Sequence, residues 1–128
     1  ILEEHVGEWF LVDEPTPYME KVFPIRPERQ KEIPAVTHVD GSGRLQTVSK
    51  RTNPLYHALI TRFFAKTGVP ILLNTSLNEN EPIVRTPLEA IRCFLRTDMD
   101  AIVIGNHLIH RHAANFPEAF RQRVTEQV

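Results

Sequence analysis

At 128 residues, with 41% hydrophobic and 24% charged side chains, the chain has the size and composition of a single globular domain. Its formal charge of −1 supplies no electrostatic footprint for nucleic acid, which needs a clearly basic face. No apolar stretch approaches the ~18–20 residues of a membrane span, and no signal-peptide pattern is found. A lone cysteine, Cys93, excludes an internal disulfide framework and fits a cytoplasmic setting.

Ile1 to Trp9 reads as the end of a helix that starts without a Met. We therefore expect a piece of a longer polypeptide, with part of its functional site elsewhere. Asp13-Glu14-Pro15-Thr16-Pro17 is a turn, because two prolines remove the backbone donors a ladder needs. Tyr18–Phe23 is expected to be a strand and Arg26–Glu32 a charged turn or short helix. Val36–Val39 and Leu45–Val48 are short β-rich runs joined by Asp40-Gly41-Ser42-Gly43, the composition of a hairpin or a tight ligand loop.

The clearest element follows. Asn53 suits an N-cap, Pro54 a first helical position and Gly68 a stop, and Leu55, Ala58, Leu59, Ile60 and Phe63 recur at helical spacing as an expected buried face. Pro70–Asn74 reads as a buried strand. Thr86-Pro87-Leu88-Glu89 opens a second helix as a capping box, with Ala90, Ile91, Phe94 and Leu95 as its apolar stripe and Cys93 a small core residue beside them. Ala101–Ile104 is an apolar strand, Gly105-Asn106 a turn and His107–His110 its hairpin partner. A polar helix is expected over Asn115 to Glu126. Strands alternating with helices give an α/β domain with a twisted, mixed sheet and flanking helices.

Two segments concentrate chemistry. Asn74-Thr75-Ser76-Leu77-Asn78 ends an apolar run in four hydrogen-bonding side chains, the way open α/β sheets present ligand groups beyond a strand's carboxyl end. Amides both donate and accept, which suits a carbamoyl or amide ligand. The competing reading is a strand-to-loop cap bonding its own backbone. Around Asp40-Gly41-Ser42-Gly43-Arg44, the glycines let backbone amides approach an anion, and Arg44 offers a planar fork to phosphate or carboxylate. The competing reading there is an exposed arginine on a turn. Lys50-Arg51 reads as solvated surface. His107, His110 and His112 invite a metal reading, but strand alternation turns His107 away from the other two and no Cys or carboxylate adjoins them; surface histidines are the expectation. No Ser-His-Asp order, paired catalytic carboxylates or GxxxxGK loop stands out.

The ordered segments Pro34 to Val48, Asn53-Pro54, Thr67 to Asn78 and Glu81-Pro82-Ile83-Val84, with Gly7-Glu8-Trp9-Phe10 and Pro17-Tyr18-Met19 ahead of them, resemble the nodulation-protein-U-like carbamoyltransferases. The resemblance runs from about Gly7 to Ile109. It departs mildly at Ser42-Gly43, where many relatives read Thr-Ala. In that family a C-terminal YrdC-like domain activates carbamoyl phosphate with ATP to a carbamoyl-adenylate, and a larger N-terminal domain, which carries the metal site, passes the carbamoyl group to an acceptor hydroxyl. The resemblance implies that this chain is most of the C-terminal domain, with ATP as co-substrate and no metal of its own. It also implies Arg44 and Ser76 as the catalytic contacts to the phosphate or carbamoyl part of the ligand. Asn74 and Asn78 would orient that ligand, and Met19, Thr37, His38, Asp40 and Gln46 would line its pocket. Lys- and Arg-containing motifs of the family that lie upstream are absent here, so the chain alone is expected to be inactive. A non-catalytic nucleotide- or RNA-binding YrdC-like module is the alternative, against which the charge of −1 argues.

Overall fold

A computed structural model describes residues 1–111 of the chain; the helix expected over residues 115–126, and His112, lie outside them. The chain divides into two compact units, residues 1–74 and the residues from Thr75 onward.

The first unit is built around Trp9. A 3-10 turn, Glu3–His5, runs into α1 (Val6–Trp9), a single helical turn that buries Val6 and Trp9. Leu2 bridges Val48 in parallel and Phe10 bridges Ile25 antiparallel, so the expected helix over residues 1–9 is one turn flanked by extended backbone. β1 (Val22–Pro24) pairs antiparallel with β2 (Ser42–Arg44), placing Val22 opposite Arg44 and Phe23 opposite Gly43. The strand expected at Tyr18–Phe23 is therefore shorter and later. Ahead of it, Thr16 and Thr47 exchange bonds, Thr47 N–H to Thr16 O at 2.7 Å and Thr16 N–H to Thr47 Oγ1 at 3.0 Å. Both threonines are buried.

Residues 36–39 and 45–48 do not form the two arms of a hairpin. Pro34–Val36 is a 3-10 turn after Ile33, and Thr37 Oγ1 donates to Ile33 O at 2.8 Å, which winds the backbone instead of extending it. The glycine-rich segment itself becomes β2, and its partner is a strand some twenty residues earlier. Ile1, Val6, Trp9, Phe10, Ile25, Ile33 and Leu45 close the core.

α2 (Pro54–Thr67) has the expected ends. Asn53 Oδ1 accepts from Tyr56 N–H at 3.3 Å, and Gly68 takes φ +75°, a left-handed stop that costs a residue without Cβ nothing. Its buried face is only in part the one expected, at Ile60. His57 and Ile60 are buried, with Tyr56 and Phe64 packed near Leu2 and Val48, whereas Leu55 and Leu59 are exposed. His57 can go inside because both ring nitrogens are engaged, Nε2 with Glu4 Oε1 at 2.8 Å and Nδ1 with Thr61 Oγ1 at 3.4 Å. Burial raises the Glu4 carboxyl, yet its own backbone N–H and His57 hold it net below the usual value. Residues 70–74 are not a strand: Leu2 N–H donates to Pro70 O at 3.2 Å, Pro70 has no N–H to answer, and residues 71–74 join no ladder among the described residues.

In the second unit α3 (Pro87–Arg96) starts on the expected cap, Glu89 N–H donating to Thr86 Oγ1 at 3.2 Å, while Glu89 Oε2 accepts from Arg85 N–H at 2.7 Å. Cys93 is fully buried and burial pushes its thiol up, as a core residue rather than a nucleophile. β3 (Ala101–Ile104) and β4 (His107–His110) form the expected antiparallel hairpin, with positive φ at Gly105 alone, the pattern of a II′ turn. Ala90, Phe94 and Ile102 are its core. Arg111 ties the end of the hairpin to the end of α3: its guanidinium donates to Met99 O, Phe94 O and Thr97 O and lies 4.8 Å from the Phe94 ring centroid. Carbonyls at a helix C-terminus lack intrahelical donors, and this side chain supplies them. The described residues thus mix helices with two small antiparallel ladders, within the α/β class.

Candidate functional site

In the first unit an open cleft of about 200 Å³ runs between residues 35–38 and 43–46 on one side and residues 71–74 on the other. β2 delivers Gly43 and Arg44 to it, and the wound turn after Pro34 delivers Thr37 and His38. Phe10, Val48, Ile71, Leu72 and Leu73 make much of the surface apolar.

Arg44 is exposed at this cleft and makes no hydrogen bond or ion pair within the described residues. A guanidinium with five donors and no internal partner is suited to an external planar anion. Opposite it, Asn74 Nδ2 donates to Gln46 Oε1 at 2.6 Å and contacts Met19 Sδ at 3.5 Å. Gln46 Nε2 in turn donates to Pro17 O at 3.1 Å, and the Gln46 backbone carbonyl accepts from Ile1 N at 2.9 Å. Asn74 and Gln46 therefore stand as a pre-aligned amide pair.

At the other end, Gly41 takes φ +79° and folds the loop so that His38 N–H reaches Ser42 O at 2.7 Å. Asp40 Oδ1 accepts from Ser42 N–H at 3.0 Å and from Ser42 Oγ at 2.6 Å, and Ser42 Oγ lies 3.0 Å from His38 Nδ1. The Ser42 hydroxyl and N–H, with nearby His38, hold the Asp40 carboxyl below its usual value.

Gly43 is where the cleft wall meets the core. A Cβ there would stand 3.0 Å from Ile25 Cδ1 and 3.1 Å from the Val36 carbonyl oxygen. The isoleucine tip can turn aside, but the carbonyl belongs to a fixed 3-10 turn. We expect Gly43→Ala to cost about 1–3 kcal/mol, the usual range for overpacking, read as a lower denaturant midpoint at unchanged m-value; an unchanged midpoint would refute the close packing.

Of the residues singled out from the sequence, Met19, Thr37, His38, Arg44, Gln46 and Asn74 line this one cleft. Asp40 is held behind it by Ser42. Ser76 and Asn78 belong to the second unit, where Ser76 Oγ donates to Asn78 Oδ1 at 2.5 Å and Asn78 Nδ2 to Glu81 O at 3.0 Å. Lys50 and Arg51 are exposed. The sequence reading missed Ser42, whose place two residues after Asp40 in an Asp-Gly-Ser turn is the signal that could have found it. It also missed the apolar wall of Phe10 and Ile71, and Tyr56 on α2. His107 and His110 are exposed on β4, and among the described residues no group of three or more His, Cys, Asp or Glu is arranged to hold a metal. Among those residues no helix is long and apolar enough to cross a membrane.

A small cleft with one unpartnered guanidinium, two aligned amides and a histidine over an apolar wall has the donor set of a small-anion site in an α/β protein. The sequence places it more narrowly: residues 1–111 match the Carbamoyltransferase C-terminus family, and the chain belongs to that family. It is 45% identical over 119 residues to nodulation protein NolNO of Sinorhizobium fredii, covering 90% of this chain and 18% of that protein. It is 44% identical over 121 residues to nodulation protein NolO of Bradyrhizobium diazoefficiens, covering 91% of this chain and 22% of that protein. Over 77 residues it is 46% identical to a 3'-hydroxymethylcephem-O-carbamoyltransferase of Amycolatopsis lactamdurans, covering 60% of this chain and 14% of that one. The chain thus spans about a fifth of the length of the first two.

Proposed function

We propose that this chain is the YrdC-like part of an ATP-dependent, cytoplasmic O-carbamoyltransferase, the part that activates carbamoyl phosphate to a carbamoyl-adenylate. A larger domain of the same polypeptide would carry the metal and transfer the carbamoyl group to an acceptor hydroxyl. The observation that carries this reading is the unpartnered Arg44 at a cleft of about 200 Å³ in a chain of this family. That volume lies below the roughly 300–1,000 Å³ typical of sites for larger ligands, which favours carbamoyl phosphate over a whole nucleotide as its occupant.

Arg44 neutralises the phosphate in this reading. Asn74 orients the ligand, and Met19, Thr37, His38, Asp40 and Gln46 shape its pocket. Such transfers depend chiefly on positioning and charge neutralisation, so a site with Arg and amides and no strong nucleophile suits the chemistry.

The test is carbamoyl-phosphate-dependent release of pyrophosphate from ATP by a full-length carbamoyltransferase carrying this domain, without acceptor; water cleaves carbamoyl phosphate to carbamate and inorganic phosphate, and the carbamate oxygen displaces pyrophosphate from the α-phosphorus of ATP. Release that needs both substrates is expected. Release indifferent to carbamoyl phosphate would end the proposal.

A further inference from the structure

The loop after the 3-10 turn at residues 34–36, together with the first residue of β2, contains a chain of three polar side chains whose proton positions are fixed by counting. Ser42 has one hydroxyl proton and two neighbours, Asp40 Oδ1 at 2.6 Å and His38 Nδ1 at 3.0 Å. An ionised carboxylate accepts only, and the low-lying Asp40 carboxyl is ionised at neutral pH. The Ser42 proton therefore points to Asp40, and its oxygen lone pair faces His38. Nδ1 must then be the donor, so the neutral ring carries its lone pair on Nε2, opposite to the tautomer favoured by a free imidazole.

Nε2 makes no hydrogen bond within the described residues, and His38 stands on the wall of the cleft that also holds Arg44. The backbone bonds His38 N–H to Ser42 O, 2.7 Å, and Gly41 N–H to His38 O, 2.9 Å, keep the ring's attachment fixed. A neutral acceptor beside a guanidinium is of no use to the phosphate, which also accepts. It is of use to a ligand group that donates, and in carbamoyl phosphate the donor is the amide NH2.

Resting on the function proposed above, we propose that Asp40 and Ser42 hold His38 in the Nδ1–H tautomer so that Nε2 accepts from the carbamoyl NH2, selecting carbamoyl phosphate over acetyl phosphate. Acetyl phosphate presents a methyl group at that point and leaves the acceptor unmatched. Asp40 and Ser42 are positioning residues, acting through His38.

The experiment uses a full-length carbamoyltransferase carrying this domain, at about pH 8, above the ordinary histidine range. Long-range 1H–15N spectra are expected to show His38 Nδ1 protonated and Nε2 bare, and Ser42→Ala to release the ring to the other tautomer. Because Ser42 is buried, Asp40→Ala at an exposed position, which removes the acceptor and frees the Ser42 hydroxyl to donate to Nδ1, repeats the test without disturbing the core. Titrations with carbamoyl phosphate and acetyl phosphate are expected to lose about tenfold in affinity for the first alone in either variant, the worth of one hydrogen bond. His38→Gln, which returns an acceptor oxygen, is expected to recover part of the loss relative to His38→Ala. An Nε2–H tautomer in the wild type, or equal weakening of both ligands, would overturn the inference. If Arg44→Ala leaves carbamoyl phosphate binding unchanged, the underlying functional reading falls and this inference with it. Arg44-dependent binding with no ligand discrimination removes only the His38 relay.

Discussion

Arg44→Ala, in a full-length carbamoyltransferase carrying this domain, is expected to lower carbamoyl-adenylate formation by about 10²–10³-fold, the usual effect of removing one preorganised donor from a developing anion. The side chain is exposed and bonds to nothing within the described residues, so its loss strands no partner. The unfolding midpoint should therefore stay within the scatter of ordinary surface substitutions, about 0.5 kcal/mol. Arg44→Lys keeps the charge and loses the fork, and should recover only part of the rate. Pyrophosphate release with ATP and carbamoyl phosphate reads all three proteins. Full activity of the alanine variant would remove Arg44 from the site, whatever else the cleft does.

Trp9→Ala is expected to have the largest effect on stability, about 3–5 kcal/mol, the range for an aromatic ring deleted from a core. Trp9 is 2% exposed and belongs to the cluster that includes Val6, Phe10, Ile25 and Leu45. Its ring also supports the Arg29 guanidinium 4.7 Å from the centroid, and its carbonyl accepts from Arg26 N–H. The backbone bond survives truncation, so the loss measures the ring. Phe10 and Leu45, neighbours in the same cluster, also line the cleft, and ligand affinity should weaken together with stability. Denaturant unfolding followed on wild type, Trp9→Phe and Trp9→Ala should rank them in that order. A cost below about 1 kcal/mol for the alanine variant would place the core elsewhere.

What could be read from the sequence is what is local. The caps of α2 and α3 are set by Asn53, Gly68 and Thr86 acting on backbone within four residues, and the β3–β4 hairpin by a two-residue turn. What could not be read depends on distant partners. The face that α2 buries is decided by Glu4, which accepts His57 and makes burial of a histidine tolerable, so helical periodicity alone favoured the leucines. Residues 70–74 have strand composition, but a ladder needs a neighbour, and Leu2 supplies one bond to Pro70. β2 was hidden because its register comes from Val22–Pro24 across a long loop. In the candidate site the residue types at Arg44 and Asn74 were legible, whereas Gln46 and the common cleft were expected only through family likeness. Ser42 was half legible: its bond to Asp40 follows from the Asp-Gly-Ser turn, whereas its approach to His38 appears only in the folded loop.

Gly43 limits how this protein can be redesigned. Contraction of the cleft cannot begin at β2, where the backbone already abuts Ile25 and the Val36 carbonyl. A library meant to change ligand size should leave that position fixed and vary Leu73, which is 68% exposed on the opposite side. There, added bulk has solvent behind it, and ligand preference can be altered without spending the stability of the core.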